Sequence, residues 1–243
     1  MNIEFDSRWP SAFKILNREI VRCRKCPRLV SWREEIAETK RRAFRDQSYW
    51  GRPVPSFGDP AARLVIIGLA PAAHGGNRTG RMFTGDRSGD FLYRALFENG
   101  FANQPASTSR EDGLTLTDAF ITAPIRCAPP DNKPERSEVL NCRPMFHQEL
   151  TLLRNAKVVV ALGSFGFNEY LAYLLEEDKI KSRAAFPFGH GALYTTHQGG
   201  PLLVGCYHPS QQNTSTGKLT APMLSDLFAR VRQLIESADG LKG

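Results

Sequence analysis

The sequence predicts an α/β fold in which helices cover both faces of a parallel sheet. Three apolar runs carry this reading: "RLVIIGL" (63–69), "AKVVVALG" (156–163) and "PLLVGCYH" (201–208). They lack polar alternation, which marks strands buried on both faces. Between them lie segments with the length and apolar spacing of helices, the order expected of βαβ units. A chain of 243 residues is long enough for one sizeable α/β domain with a full core, or for two small ones.

Taken in order, residues 11–22, "SAFKILNREIVR", have helical apolar spacing and lead to Cys23. Residues 31–47 read as a second, strongly charged helix with Ser31 as its N-cap. "GRPVPSFGDP" (51–60) is a Pro/Gly loop joining an N-terminal helical arm, about residues 1–55, to the body of a single domain. A strand at 63–69 then precedes a helix from Ser88 to Asn99, and "LTDAFITAP" (116–124) is the next strand. Residues 134–155 read as two short helices, because Pro144 cannot continue a helix. A strand at 156–163 and a helix at 164–178 follow, then strands in "ALYTTH" and "PLLVGCYH", and an amphipathic helix near the C-terminus.

In open parallel sheets ligands bind beyond the carboxyl ends of the strands. Three unusual stretches fall there: 68–86, 123–134 and 207–216. The first, "GLAPAAHGGNRTGRMFTGD", has neither G-x4-G-K-[ST] nor G-x-G-x-x-G, so phosphate-loop and dinucleotide sites have no support. Its glycines allow backbone to approach a flat or phosphorylated ligand. Asn77, Arg78, Thr79 and Arg81 are donors suited to phosphate oxygens. Phe83 is placed either to stack on a base or to pack in the core. Asp86, before Arg87 and Ser88, is either a reactive carboxylate or a helix cap. In the second stretch prolines stiffen the approach to Asn132, and in the third His208 stands at a strand end. There it would hydrogen-bond a ligand or serve the fold. The polar residues beside it, Ser210 and Asn213 among them, suit phosphate contacts or a solvated loop.

The five cysteines include a C-x2-C pair, Cys23 and Cys26, and a looser pair, Cys127 and Cys142. Four thiolates suit Zn²⁺ or an iron–sulfur cluster. The alternative is that Cys127 and Cys142 are small buried hydrophobes, as Cys206 is expected to be. The formal charge of +7 suits a polyanionic partner. No run approaches about 18 apolar residues, and "MNIEFDSRWP" does not read as a secretory leader. The expected location is the cytosol, with no membrane partner.

Together, "GLAPAAHGGNRTGRMFTGD", "IRCAPPDNKP", "YHPSQQNT" and the four cysteines resemble family 5 (type B) uracil-DNA glycosylases over about residues 20–235. The resemblance implies a three-layer fold around a central four-stranded parallel sheet. It implies a [4Fe-4S] cluster on Cys23, Cys26, Cys127 and Cys142, with zinc as the alternative. The implied reaction is hydrolysis of the N-glycosidic bond of uracil flipped out of single- or double-stranded DNA. Asp86 would position water and stabilise the sugar cation, His208 would hydrogen-bond uracil O2, and Asn132 would help hold the water. Phe83 would stack on the base. Backbone around Gly68, Leu69, Ala70 and Ala72 would line the pocket. Leu69 stands where family 4 relatives have an acidic residue, and Ala123 where many superfamily members have an asparagine. Both differences imply wider specificity, taking in hypoxanthine, ethenocytosine or hydroxymethyluracil. Lys133 and Lys218 have no evident pKa-lowering pocket, so a monofunctional enzyme is expected, acting as a monomer. A metal-stabilised DNA-binding protein without catalysis is the competing reading; it leaves Asp86, Phe83 and His208 unexplained.

Overall fold

The computed structural model describes residues 9–240. The first residues of the arm, on which the expectation of no leader rests, lie outside that range. Six strands form one sheet: β1 (Phe57–Gly58), β2 (Leu64–Ile67), β3 (Ala119–Thr122), β4 (Val158–Leu162), β5 (Leu193–Thr195) and β6 (Leu202–Cys206). Their order is β1-β3-β2-β4-β6-β5. The central four, β3-β2-β4-β6, are parallel, as expected. The short edge strands β1 and β5 are antiparallel additions. β1 falls inside the Pro/Gly loop and is only two residues long, too short to leave a pattern in sequence.

Every residue of β2, β3 and β4 is buried. Alternate side chains feed two cores, as the two-residue period of a strand requires. Leu64, Ile66, Ile121, Val158 and Val160 pack on one face with Leu92, Leu96, Phe228 and Val231. The last four lie on helices α4 (Arg87–Glu98) and α8 (Ala221–Gly240). Val65, Ile67, Phe120, Val159 and Ala161 pack on the other face with Phe13, Phe146, Phe167 and Leu171. Those come from α1 (Ser11–Arg22), α5 (Arg136–Leu152) and α6 (Ser164–Glu176). Short helices α3 (Gly76–Thr79) and α7 (Gln211–Ser215) lie in the loops after β2 and β6.

Two helices depart from expectation. The charged arm helix is α2, Pro27–Thr39, not 31–47. Pro27 takes the first helical position, where its missing N–H costs nothing, so Ser31 lies inside the helix. α5 is continuous through Pro144. A capping box of Glu135 and Glu138 starts it, and Cys142, Met145, Phe146, Glu149 and Leu150 bury one side. Tertiary burial there outweighs the lost hydrogen bond at the proline.

β2, the first parallel strand, is followed by β3 on one side and β4 on the other. This reversal opens a crevice at the carboxyl ends of the strands.

Candidate active site

A cleft of about 1410 Å³ occupies this crevice. Gly68, Leu69, Ala70, Ala72, Phe83 and Asp86 line it from the loop after β2. Ala123 and Asn132 reach it from the loop after β3, and His208 and Ser210 from the loop after β6.

The first loop is pinned from beneath. Tyr93 on α4 donates its hydroxyl to the Met82 carbonyl at 2.9 Å. Phe83 holds a left-handed backbone, φ 53°, rare for a bulky residue. Its carbonyl lies so close to α4 that a Cβ on Gly89 would be 1.8 Å away, so only glycine fits there. The Phe83 ring stands 6.0 Å from the His208 ring, tilted 33°.

Asp86 is both cap and cleft residue. It is the N-cap of α4, and its Oδ1 accepts the Gly89 N–H at 3.0 Å. Oδ2 lies over Gly75, where a Cβ would come within 2.0 Å. Burial raises the Asp86 pKa; the backbone N–H groups of Gly89 and Ser88 and the charge of Arg78 work against that rise.

His208 follows β6 directly. Its carbonyl accepts the Asn213 side-chain amide at 2.9 Å. Ser210 caps α7 by accepting the Asn213 N–H at 3.3 Å. Among the described residues the His208 ring makes no hydrogen bond within the protein. Burial lowers its pKa to about 4, so the imidazole is neutral at pH 7. Asn132 is exposed at the cleft edge, and it and Asp131 are consecutive left-handed residues, φ 56° and 52°. Behind them Arg126 anchors the loop to α5 through a buried ion pair with Glu149 at 2.5 Å. It also donates to Ser56 Oγ and Thr122 Oγ1, at 2.7 and 2.8 Å.

The family comparison agrees with this architecture. The model of the uracil DNA glycosylase superfamily matches residues 55–232. The type-5 uracil-DNA glycosylase of Mycobacterium tuberculosis is 53% identical over 220 residues, 90% of this chain and 80% of the relative. That of Mycobacterium leprae is 51% identical over 220 residues, 90% of this chain and 94% of the relative. The Thermus thermophilus protein of the same name is 48% identical over 212 residues, 87% and 93% of the two chains. The chain belongs to the type-5 uracil-DNA glycosylases.

Within this type-5 cleft, several expected contacts are turned elsewhere. Asn77 does not reach the cavity; it is fully buried, and its amide donates to the Arg33 carbonyl at 3.2 Å. Arg81 is buried too, held by Asp112 at 2.7 Å and Ser107 Oγ at 2.7 Å. Asp112, with that cation and the Leu114 and Thr108 N–H groups beside it, titrates at about 2 despite burial. Arg78 does line the cleft, but its guanidinium donates to the carbonyls of His74 and Gly85 at 2.7 and 2.8 Å. Asn213 holds the His208 backbone instead of facing the cavity. Asn77 turns inward from α3 against the arm, while Arg81 and Asn213 brace their own loops.

The structure adds His74, Asp131 and, from the arm, Arg41, Phe44 and Gln47 to the cleft wall. His74 stands inside a glycine-rich motif, a signal that was there to be used. The arm residues carry no local signal; contacts distant in sequence bring them in.

Cys23, Cys26, Cys127 and Cys142 line one small cavity between the arm and α5. Arg33, almost fully buried, donates to Cys127 Sγ at 2.9 Å and to the Cys23 carbonyl at 3.3 Å. The Asn141 amide reaches Cys26 Sγ at 3.5 Å. Burial pushes the Cys127 thiol up to about 12 and the Cys142 thiol up to about 11. Among the described residues no group of three or more His, Cys, Asp or Glu is placed to hold a single metal ion. Cys206, the last residue of β6, is a core residue, as expected. No helix among the described residues is long and apolar enough to cross a membrane.

Proposed function

We propose that this chain is a monofunctional base-excision repair glycosylase that hydrolyses the N-glycosidic bond of uracil in DNA. One observation carries the reading: Phe83, Asp86, Asn132 and His208, from three separate loops, line a single cleft. The bond cannot be reached inside the base stack, so the nucleotide is flipped out. Its cleavage puts positive charge on the sugar and negative charge on the base.

Phe83 takes one face of the base. His208, neutral and with its ring free of protein partners, donates to the uracil O2 that gains negative charge. A neutral imidazole is a suitable electrophile when burial excludes the charged form. Asp86, fixed by its capping bond, faces the sugar, where its carboxylate stabilises the cation and orients the attacking water. Asn132 holds that water from the opposite lip. Leu69 and Ala123 are apolar cleft residues, so few polar groups penalise a base other than uracil. The substrate range therefore extends to hypoxanthine, ethenocytosine and hydroxymethyluracil.

We further propose that the four cysteines hold a [4Fe-4S] cluster. The residues fit it: four thiols share a cavity, and Arg33 supplies positive charge. Zinc draws four thiolates to about 3.8 Å of one another, given a Zn–S bond near 2.3 Å. A cluster binds each thiolate to a different iron and needs no such crowding. When bound, it crosslinks the arm to α5 and takes no part in the bond cleavage. Absorption near roughly 400 nm that disappears in Cys23→Ser supports a cluster; a colourless protein holding zinc refutes it.

The activity is tested by incubating the cluster-loaded protein with a uracil-containing oligonucleotide and then with alkali. Strand breaks should appear only after alkali. No break from such a preparation would refute the enzyme reading, and breaks without alkali would refute monofunctionality.

A further inference from the structure

The cleft is larger than one flipped nucleotide needs. Its volume of about 1410 Å³ exceeds the roughly 300–1,000 Å³ that encloses a drug-sized ligand. Its wall continues onto the arm through Arg41, Phe44 and Gln47, with His74 also lining it.

This second wall has the chemistry of a nucleotide site. Arg41 is exposed, and among the described residues no carboxylate of the arm lines the cleft. Phe44 is half-buried, and the Arg78 guanidinium lies 4.0 Å from its ring centre. That contact fixes the ring against the active-site loop, because Arg78 also donates to the carbonyls of His74 and Gly85. One hydrogen bond orients the His74 ring. The Arg41 N–H gives to the Tyr49 hydroxyl oxygen at 3.3 Å. The Tyr49 proton is then available to His74 Nδ1, 3.1 Å away. With the Tyr49 hydroxyl donating, the imidazole proton is on Nε2, which has no hydrogen bond within the protein among the described residues. Burial, with Arg41 and Arg78 nearby, holds the His74 pKa below its ordinary value, so the ring is neutral.

We propose that this wall is a second subsite, which holds the nucleotide next to the flipped one in the same strand. Phe44 packs against its base, and Arg41 and His74 take its phosphate. The proposal rests on the glycosylase reading above and extends it from one nucleotide to two.

The test compares kcat/KM for wild type, Arg41→Ala, Phe44→Ala and Phe44→Leu. Phe44→Leu keeps apolar packing under Arg78 and guards against a folding defect. Substrates are a single-stranded uracil oligonucleotide of about 15 nucleotides and a series shortened one nucleotide at a time from either end. On the full-length substrate each variant should lose about tenfold in kcat/KM, mostly through KM. Wild type should lose a similar factor when the flanking nucleotide on one side is removed. On that shortened substrate the variants and wild type should agree within about twofold. Arg41→Ala should also reduce the slope of log KM against log salt by about one. A deficit that persists on the shortened substrate means the arm acts only through the fold and overturns the subsite, as does no deficit on any substrate. If wild type binds but does not cut the long oligonucleotide, the glycosylase reading fails instead. The same truncation series read by fluorescence anisotropy then decides the subsite.

Discussion

The cleft and the cysteine cavity are built on opposite principles. In the cleft the protein sets the position or charge of its reactive groups in advance. Asp86 is held by a backbone N–H, His208 is neutral, and Phe83 is locked by Gly89 and Tyr93. Around the cysteines it does not. Two thiols are pushed to about 12 and about 11, and Arg33 Nε is left buried without a hydrogen bond. One region is pre-organised for a substrate that comes and goes. The other gathers four thiols beside a buried arginine and leaves polar groups unpaired. Chemistry and scaffolding can therefore be damaged separately.

The sharpest test of that separation is Asp86→Asn. Asparagine caps a helix about as well as aspartate, so Tm should hold. The single-turnover rate should fall by a factor on the order of 10²–10⁴, with any absorbance near roughly 400 nm unchanged. A rate close to wild type would remove Asp86 from the chemistry. Glu149→Ala should do the reverse, stripping Arg126 of its buried partner and costing about 3–5 kcal/mol in denaturant unfolding. An unchanged midpoint would mean the pair does not anchor the second loop. His208→Ala should slow excision about 10²–10³-fold at unchanged Tm, the usual loss for one donor to a developing anion. If its loss appears only in KM, His208 binds the base without assisting its departure. Gly75→Ala should cost about tenfold by forcing Oδ2 of Asp86 from its seat; a wild-type rate would show that the carboxylate has room to move.

The smallest expected effect is in the pH profile. Burial raises the Asp86 pKa, so its carboxylate is lost at a higher pH than an ordinary aspartate's as the solution is acidified. His208 charges only near pH 4. An acid limb of kcat/KM set by Asp86 should therefore lie above the usual aspartate range. Asp86→Glu should shift that limb, and a limb left in place would assign it elsewhere.

Much of this was legible in the sequence. The buried strands announce themselves as unbroken apolar runs, and β2, β4 and β6 with their loops place Asp86 and His208. Pro144 misleads because a proline's local cost can be outweighed by burial along a 17-residue helix. Asn77 and Arg81 mislead for a related reason. A donor's type is written in the chain, but the side it faces is set by packing: Asn77 on α3 turns to the arm, and Arg81, beyond α3, to Ser107 and Asp112. Phe44 and Arg41 were out of reach, since nothing in "KRRAFRDQSYW" says it will return to the loop after β2.

The double duty of Asp86 has a consequence for the lineage as well as the molecule. Most replacements there weaken the cap, by about 1 kcal/mol, together with the proposed chemistry. Asparagine keeps both the cap and the side-chain volume while removing the carboxylate. Such a variant would sit on lesions it cannot repair and shield them from other enzymes. The most dangerous mutation at this position is the one that does least harm to the fold.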